Sequence, residues 1–400
     1  MSPSRNSGWT IVVVLAVTET VSWGVLYYAF AVFLPAMERS LGWTKTELTG
    51  AFSVGLATSA LAAVPVGRWL DRHSPRPLMT LGSVAGALLV LAWSRVHDLV
   101  LFYLVWAGIG LAMACVLYDA AFTVITKSFR EQRRRALTVV TLAGGFASFV
   151  FSPLSNRLID AQGWRDALIS LAAILAVTTA PLHAFFLRRP PRDAEGDAQV
   201  LVRGDRGATR SAAFWYLTTA FVLSSFAVSA VAVHLIPYLL AGGRTASFAA
   251  LAAGLMGLMQ VPGRIVFATV ARALPPRIEA PAIFFLQGAG IAVLALTAAV
   301  PGVIVAVCLF GMANGMATLV RATALADAYG PAFYGSIAGT AAACATAARA
   351  VAPVAAAGGY VAFGGYAPVL WLLVAGSVLA AFSAWRANRT LFAARPLGRA

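Results

Sequence analysis

The sequence predicts an all-α polytopic membrane protein, with twelve transmembrane helices in two pseudo-symmetric six-helix bundles. Three observations predict it. Of 400 residues, 60% are hydrophobic and 11% charged, where a soluble domain carries roughly 25% charge. The apolar residues fall in long runs of about the 20 residues that a helix needs to cross a bilayer. The net charge of +15 is concentrated in alternate loops. Arg5, Arg68, Arg72, Arg76, Lys127, Arg130, Arg133 to Arg135, Arg188, Arg189, Arg192, Arg203, Arg206, Arg210, Arg272, Arg277, Arg386, Arg389, Arg395 and Arg399 fall on one side; Arg39, Lys45, Arg95, Arg157, Arg165 and Arg244 fall on the other. The positive-inside rule then puts both termini in the cytoplasm of a multi-pass protein of the cell (inner) membrane. The same placement explains the basic balance without nucleic acid, which would need a charged soluble face.

The spans follow in order. Span 1, residues 9–37, holds Glu19 near its middle and Tyr27, Tyr28 and Phe30 beyond it. Its apolar run continues past signal-peptide length, so it reads as a span and not a cleaved leader. Span 2 ends near Val66, and residues 67–76 read as a tight basic inner loop. Spans 3 and 4 cover residues 77–93 and 99–125, with Tyr118 and Asp119 in the inner half of span 4. In span 5, residues 136–158, Gly144 and Gly145 allow close helix contact. Gly163, Trp164 and Arg165 open span 6, which stops at Arg188. Residues 189–210 carry Pro190, Pro191, glycines and charges without an apolar run, the composition of a cytoplasmic linker. The expected bodies are therefore 1–188 and 211–400. Span 7, residues 211–240, has His234 near its outer end, where it reads as an interfacial histidine or a pH sensor. Span 8 carries Arg264. Spans 9 and 10 cover residues 280–299 and 302–326, with Arg321 and Asp327 toward the inner end. Span 11, residues 333–357, contains Arg349, and span 12 covers residues 366–385. Cys115, Cys308 and Cys344 lie inside apolar runs and read as small core residues, with no disulfide or metal framework.

The two halves repeat at an offset of about 200 residues. Leu34-Pro35 answers Ile236-Pro237, Arg72 answers Arg272, Gly110-Leu-Ala-Met answers Gly311-Met-Ala-Asn, and Ser152-Pro153 answers Ala352-Pro353. Four matches in one register argue for duplication. At that offset Asp119 falls close to Arg321, so equivalent places carry opposite charges. Two parallel six-helix halves around a midplane site is a transporter architecture.

The most informative stretch runs from Gly254 to Arg272, GLMGLMQVPGRIVFATVAR, an apolar run with Arg264 inside it. A guanidinium stays charged at any working pH. At membrane depth it costs at least about 2.5–3.5 kcal/mol, so it normally faces a water-filled cavity or a partner. Counted from Ala246, Arg264 lies roughly 27 Å along its helix, so the rival reading is a side chain snorkelling to the cytoplasmic surface. Gln260 is one turn earlier on the same face, and Pro262 and Gly263 loosen the backbone between them. The arrangement reads as a fixed positive charge that holds a carboxylate through two parallel hydrogen bonds. Tyr118, Tyr28 and Gln260 are candidate neutral donors beside it, or packing residues. Glu19 and Asp119 are candidate proton carriers, or static partners of Arg264, Arg321 or Arg349. Arg321 and Arg349 read as interhelix struts or second anion contacts. No P-loop, HExxH, nucleophile elbow or dinucleotide fingerprint stands in a credible context, so neither enzyme chemistry nor a cofactor or metal is expected.

The chain resembles the major facilitator superfamily over nearly all its length. Gly67, Asp71, Arg72 and Arg76 match its G-x-x-x-D-R-x-G-R-R motif, with Ser74 and Pro75 as departures. The resemblance implies a cytoplasmic latch of carboxylate and arginines at those residues. Phe129 to Ala143, with F-x-x-x-R-R-x-A-L and then A-G-G, resembles the monocarboxylate-transporter and oxalate–formate-antiporter branch, as does Gly163-Trp164-Arg165. In that branch a helix 8 arginine at the place of Arg264 binds the substrate carboxylate. This chain departs from it at Gln260, where the family has an acid, and at Val32, where animal relatives have a lysine. The expectation is secondary transport of a small organic anion, a monocarboxylate with proton symport, by alternating access, with no obligate protein partner. The alternative is proton-driven export of hydrophobic or cationic drugs, with Glu19 and Asp119 as cation ligands. A membrane receptor or membrane-embedded enzyme would need a soluble domain or a catalytic constellation.

Overall fold

Helices account for all the regular structure in the computed structural model, which describes residues 5–129, 131–187, 205–270, 275–297 and 299–393. In chain order they are α1 (Arg5–Trp23), a π-helical turn (Gly24–Tyr28), α2 (Ala29–Leu41), α3 (Lys45–Arg72), α4 (Pro75–Ser94), α5 (Leu99–Val116), α6 (Tyr118–Ser128), α7 (Arg133–Gly145), α8 (Ala147–Phe186), α9 (Asp205–Thr209), α10 (Ala212–Ala241), α11 (Ala246–Leu258), α12 (Gln260–Val270), α13 (Pro276–Leu296), α14 (Val300–Tyr329), α15 (Tyr334–Phe363) and α16 (Tyr366–Ala393). Eleven stretches of helix are long and apolar enough to cross a bilayer. The longest, Arg133–Phe186, is two spans that meet at Gly163, whose φ of 79° suits a residue without a Cβ. Twelve spans result among the described residues, as the apolar runs predict.

Polar residues in the loops start the helices. Thr44 accepts from the Glu47 amide while Glu47 accepts from the Thr44 amide, a reciprocal cap on α3. Ser74, Asp98, Ser211 and Thr245 each accept from a first-turn amide and so cap α4, α5, α10 and α11.

Several boundaries differ from the expected ones, each for a physical reason. Residues 67–76 are mostly helix, because α3 runs on to Arg72 and only His73 and Ser74 separate it from α4. The charges there mark an exit from the apolar layer; they do not stop the helix. The fourth span is broken at Leu117, which is extended (φ −86°, ψ −174°) between α5 and α6. The eighth is broken at Met259, three residues before Pro262, which lacks an N–H and crowds the carbonyl of Leu258. The expected linker, 189–210, lies outside the described residues as far as 204, and Asp205–Thr209 is helical.

The chain divides into two compact units, Met1–Val202 with Tyr329–Ala343, and Arg203–Ala328 with Cys344–Ala400. The first therefore includes the opening turns of α15. Its core is aromatic: Phe30, Phe33, Phe102, Trp93 and Trp106 are all buried, and the Trp93 and Trp106 rings lie 4.9 Å apart. The second unit's core is lighter, built on Val303, Val307, Phe310, Leu235, Ala230 and Ala306. Leu61, Phe149, Val177, Val354 and Val361 are each more than 70% exposed. On twelve bilayer-length spans these are the side chains that acyl chains cover.

The sequence repeat reappears as packing. A Cβ on Gly110 of α5 would meet the Gly55 carbonyl of α3, and one on Gly311 of α14 would meet the Met256 carbonyl of α11. Each glycine thus lets the fourth helix of its half close onto the second. Pro35 and Pro237, and Pro153 and Pro353, are likewise all inside helices. Arg272, the expected counterpart of Arg72, lies outside the described residues.

Candidate functional site

In the second unit the broken eighth span presses Gln260 to Arg264 against α14. A Cβ on Gly263 would meet the Met312 backbone, and one on Gly315 would meet that of Gln260. Two glycines therefore bring the kinked turn against α14. Arg264 follows the kink at 5% exposure, so its side chain is not turned out to the surface. Gln260 opens α12 and is half-buried. Arg321 is half-buried on α14. Arg349 is exposed on α15, and its carbonyl accepts from Ser229 Oγ at 2.8 Å. Pro353, four residues on, supplies no N–H to that carbonyl, so Ser229 takes the place of the missing bond. His234 joins α10 to the same region: its Nε2 lies 2.9 Å from the Pro353 carbonyl and its Nδ1 3.2 Å from Tyr366 Oη.

In the first unit the polar residues of α1 meet the break in the fourth span. Glu19 is fully buried, and neither of its carboxyl oxygens has a hydrogen-bond partner at good geometry. Trp23, one turn on, directs its indole N–H at that carboxyl from outside good hydrogen-bond geometry. Its ring lies 5.0 Å from that of Tyr118 and 5.1 Å from that of Tyr27. Asp119 is within electrostatic reach of Glu19 and sits in the first turn of α6, where the helix dipole favours an acid. Tyr28 belongs to the π-helical turn, with its ring 5.2 Å from that of Tyr27. Such turns mark altered backbone geometry inside a span, often at functional positions. The Tyr118 hydroxyl donates to the Thr141 carbonyl at 3.2 Å, and a Cβ on Gly144 would stand 2.5 Å from Tyr118 Oη. The ring is thus held against α7 and its proton is engaged there. Within this unit the structure brings Glu19, Asp119, Tyr118 and, through Trp23 and Tyr27, Tyr28 into one cluster.

The third cluster is at Asp71. Its Oδ1 accepts from the Gly335 amide at 2.9 Å and its Oδ2 from the Ser336 amide at 2.7 Å. Lys127 Nζ is 3.1 Å from Oδ1 and donates to the Leu70 carbonyl at 2.7 Å. Asp71 lies in the last turn of α3, where its own helix dipole disfavours a carboxylate. The compensation comes from elsewhere: the amides at the start of α15 and a lysine at the end of α6. Gly67 makes the approach possible, since a Cβ there would meet the Gly335 carbonyl. Arg72 and Arg76 are exposed. Lys127, Gly335 and Ser336 join a latch for which the motif names only arginines; in the sequence Lys127 looks like one more charge in a basic loop. No group of three or more His, Cys, Asp or Glu suited to a metal occurs among the described residues.

Residues 15–353 match the family model of the Major Facilitator Superfamily. Monocarboxylate transporter 13 of Bos taurus is 24% identical over 337 residues, 82% of this chain and 77% of that protein. An uncharacterized 38 kDa protein of Thermoproteus tenax is 26% identical over 216 residues, and the matched part spans about half the length of either protein. A crystal structure of the E. coli fucose:proton symporter FucP superposes with a TM-score of 0.76 at 14% identity, covering 94% of this chain and 98% of that one.

Proposed function

The chain belongs to the Major Facilitator Superfamily, and from that premise we propose that it is a secondary active transporter of a small organic anion, a monocarboxylate moved together with a proton. The observation that carries the reading is Arg264, a permanent cation at 5% exposure beside a kink in an apolar span. A buried charge of that kind faces a water-filled cavity or a partner, and the planar guanidinium fits a carboxylate in two parallel hydrogen bonds. The similarity to a monocarboxylate transporter over 82% of the chain supports the substrate class. Gln260, one turn away, is the neutral donor best placed on the same helix. Glu19 is the proton carrier in this reading, with Asp119 as its electrostatic neighbour: a fully buried carboxyl beside the Trp23 indole and a second acid can follow its surroundings in gaining and losing a proton. The Asp71 cluster is the latch that holds the start of α15 at one stage of alternating access. The membrane is the cell (inner) membrane, with both termini cytoplasmic, a reading supported by the charge asymmetry of the loops.

The test is uptake of labelled lactate or pyruvate into proteoliposomes. The proposal expects uptake that an inward proton gradient accelerates and that Arg264→Ala abolishes. Normal uptake by that variant would remove Arg264 as the carboxylate site, and indifference to the gradient would remove proton coupling.

The same buried Glu19 favours a second reading, export of a hydrophobic cation with Glu19 and Asp119 as ligands. A thermal-shift series of small acids against lipophilic amines separates the two, since only a bound ligand stabilises the fold. Stabilisation by acids alone supports the first reading and by amines alone the second.

A further inference from the structure

At one end of the second unit, the turns between α10 and α11 and between α15 and α16 line a cavity of about 300 Å³, at the lower end of the range for small-molecule pockets. Arg244 lines it together with Tyr238, Tyr360 and Tyr366, and Leu239 and Val303 complete an apolar wall. The Tyr360 and Tyr366 rings are 4.5 Å apart, and Tyr238 stands edge-on to Tyr366 at 5.9 Å.

Two of the three tyrosines are fixed from behind. Tyr238 Oη donates to the Leu294 carbonyl at 2.7 Å. Tyr366 Oη is 3.2 Å from His234 Nδ1, and His234 Nε2 is 2.9 Å from the Pro353 carbonyl. A carbonyl only accepts, so His234 carries a hydrogen on Nε2 and turns Nδ1 toward the Tyr366 hydroxyl. Tyr238 and Tyr366 are therefore held before any ligand arrives, which lowers the ordering cost of binding.

A wall of clustered aromatic rings favours a flat apolar body, which stacks against it in offset or edge-on geometry. The guanidinium selects the charge. Tyrosines alone would suit a quaternary ammonium, but beside Arg244 a cation is repelled and a carboxylate is paired. We propose that this cavity is a second ligand site, specific for aromatic monocarboxylates. It is separate from Arg264: Arg244 precedes the start of α11 at Ala246, and Arg264 follows about 27 Å further along the helix axis at 1.5 Å per residue. One small acid cannot touch both.

The experiment uses the full-length protein in nanodiscs of zwitterionic lipid. Benzoate binding is measured by titration calorimetry, and 4-azidobenzoate is photo-crosslinked and its adducts mapped by mass spectrometry. The proposal expects benzoate binding that survives Arg264→Ala and weakens about tenfold or more in Arg244→Gln, the loss expected for one charge-assisted pair. Tyr360→Ala should weaken it as well, and adducts should fall in the peptide that holds Tyr360 and Tyr366. Adducts confined to α12, or binding abolished by Arg264→Ala and untouched by Arg244→Gln, would overturn the second site while leaving the carboxylate reading of Arg264 standing. An anionic lipid headgroup is the rival source of the same charge. Replacing half the lipid with phosphatidylglycerol should leave benzoate affinity unchanged; loss of binding there would assign the cavity to lipid and overturn the proposal.

Discussion

In the proposed transport cycle a guanidinium and a carboxylic acid, buried in different units, carry the chemistry at the scale of single residues. Arg264 combines a fixed charge with a planar fork, and lysine would keep the charge but lose the fork. Arg264→Lys should therefore cut the initial rate of lactate uptake about tenfold or more, and a rate near that of the parent would show that charge alone suffices. Glu19→Gln keeps the shape of the side chain and removes its proton chemistry. This variant should still exchange labelled for unlabelled substrate across proteoliposomes but lose its acceleration by an inward proton gradient. Retained acceleration would relieve Glu19 of that role. Both residues were legible in the sequence for one reason: an ionisable group inside an apolar run stands out without any knowledge of the fold. Lys127 was not legible, because its significance depends on Asp71 and Ser336, which lie far from it in the chain and near it only in the folded unit. Tyr118 was legible as a buried polar residue, but the direction of its hydroxyl, toward Thr141, was set by helix packing around Gly144.

Among the helices, the breaks and close approaches decide what can move and what cannot. Asp71→Asn would remove the ion pair with Lys127 and turn one acceptor of two amides into a donor, a loss of about 1–3 kcal/mol. The start of α15 should then open more often. In a background without Cys115, Cys308 and Cys344, a cysteine introduced by Ser336→Cys, at a position 4% exposed, should react faster with maleimide once Asp71 is Asn. Equal labelling rates would contradict a latch. Where α14 crosses the kinked turn, Gly315→Val would set a Cβ 2.8 Å from Gln260 Cα. Overpacking of that kind should destabilise the protein by about 1–3 kcal/mol, seen as a lower unfolding temperature in detergent; an unchanged temperature would mean that α14 can shift away. The kink at Met259 was foreseeable from Pro262. The break at Leu117 was not, because neither proline nor glycine stands near it and its extended backbone reflects the tertiary setting between α5 and α6.

For the whole molecule, composition and charge placement gave the class and the number of spans, since both follow from bilayer thickness and from the cost of moving arginine across it. The duplicated register was also visible, and Gly110 and Gly311 show its physical meaning as matched contacts in the two units. The grouping of the first turns of α15 with the first unit was not visible. Backbone amides that receive a distant carboxylate leave no mark on a sequence. The account as a whole rests on Arg264 holding the carboxylate of the transported molecule. Its most direct test compares the binding of a small monocarboxylate with that of its neutral amide, lactate against lactamide, by calorimetry on the parent protein and on folded Arg264→Gln. The account predicts that the parent binds lactate and not lactamide, and that the variant loses lactate about tenfold or more. Lactate bound equally well by both proteins would contradict it.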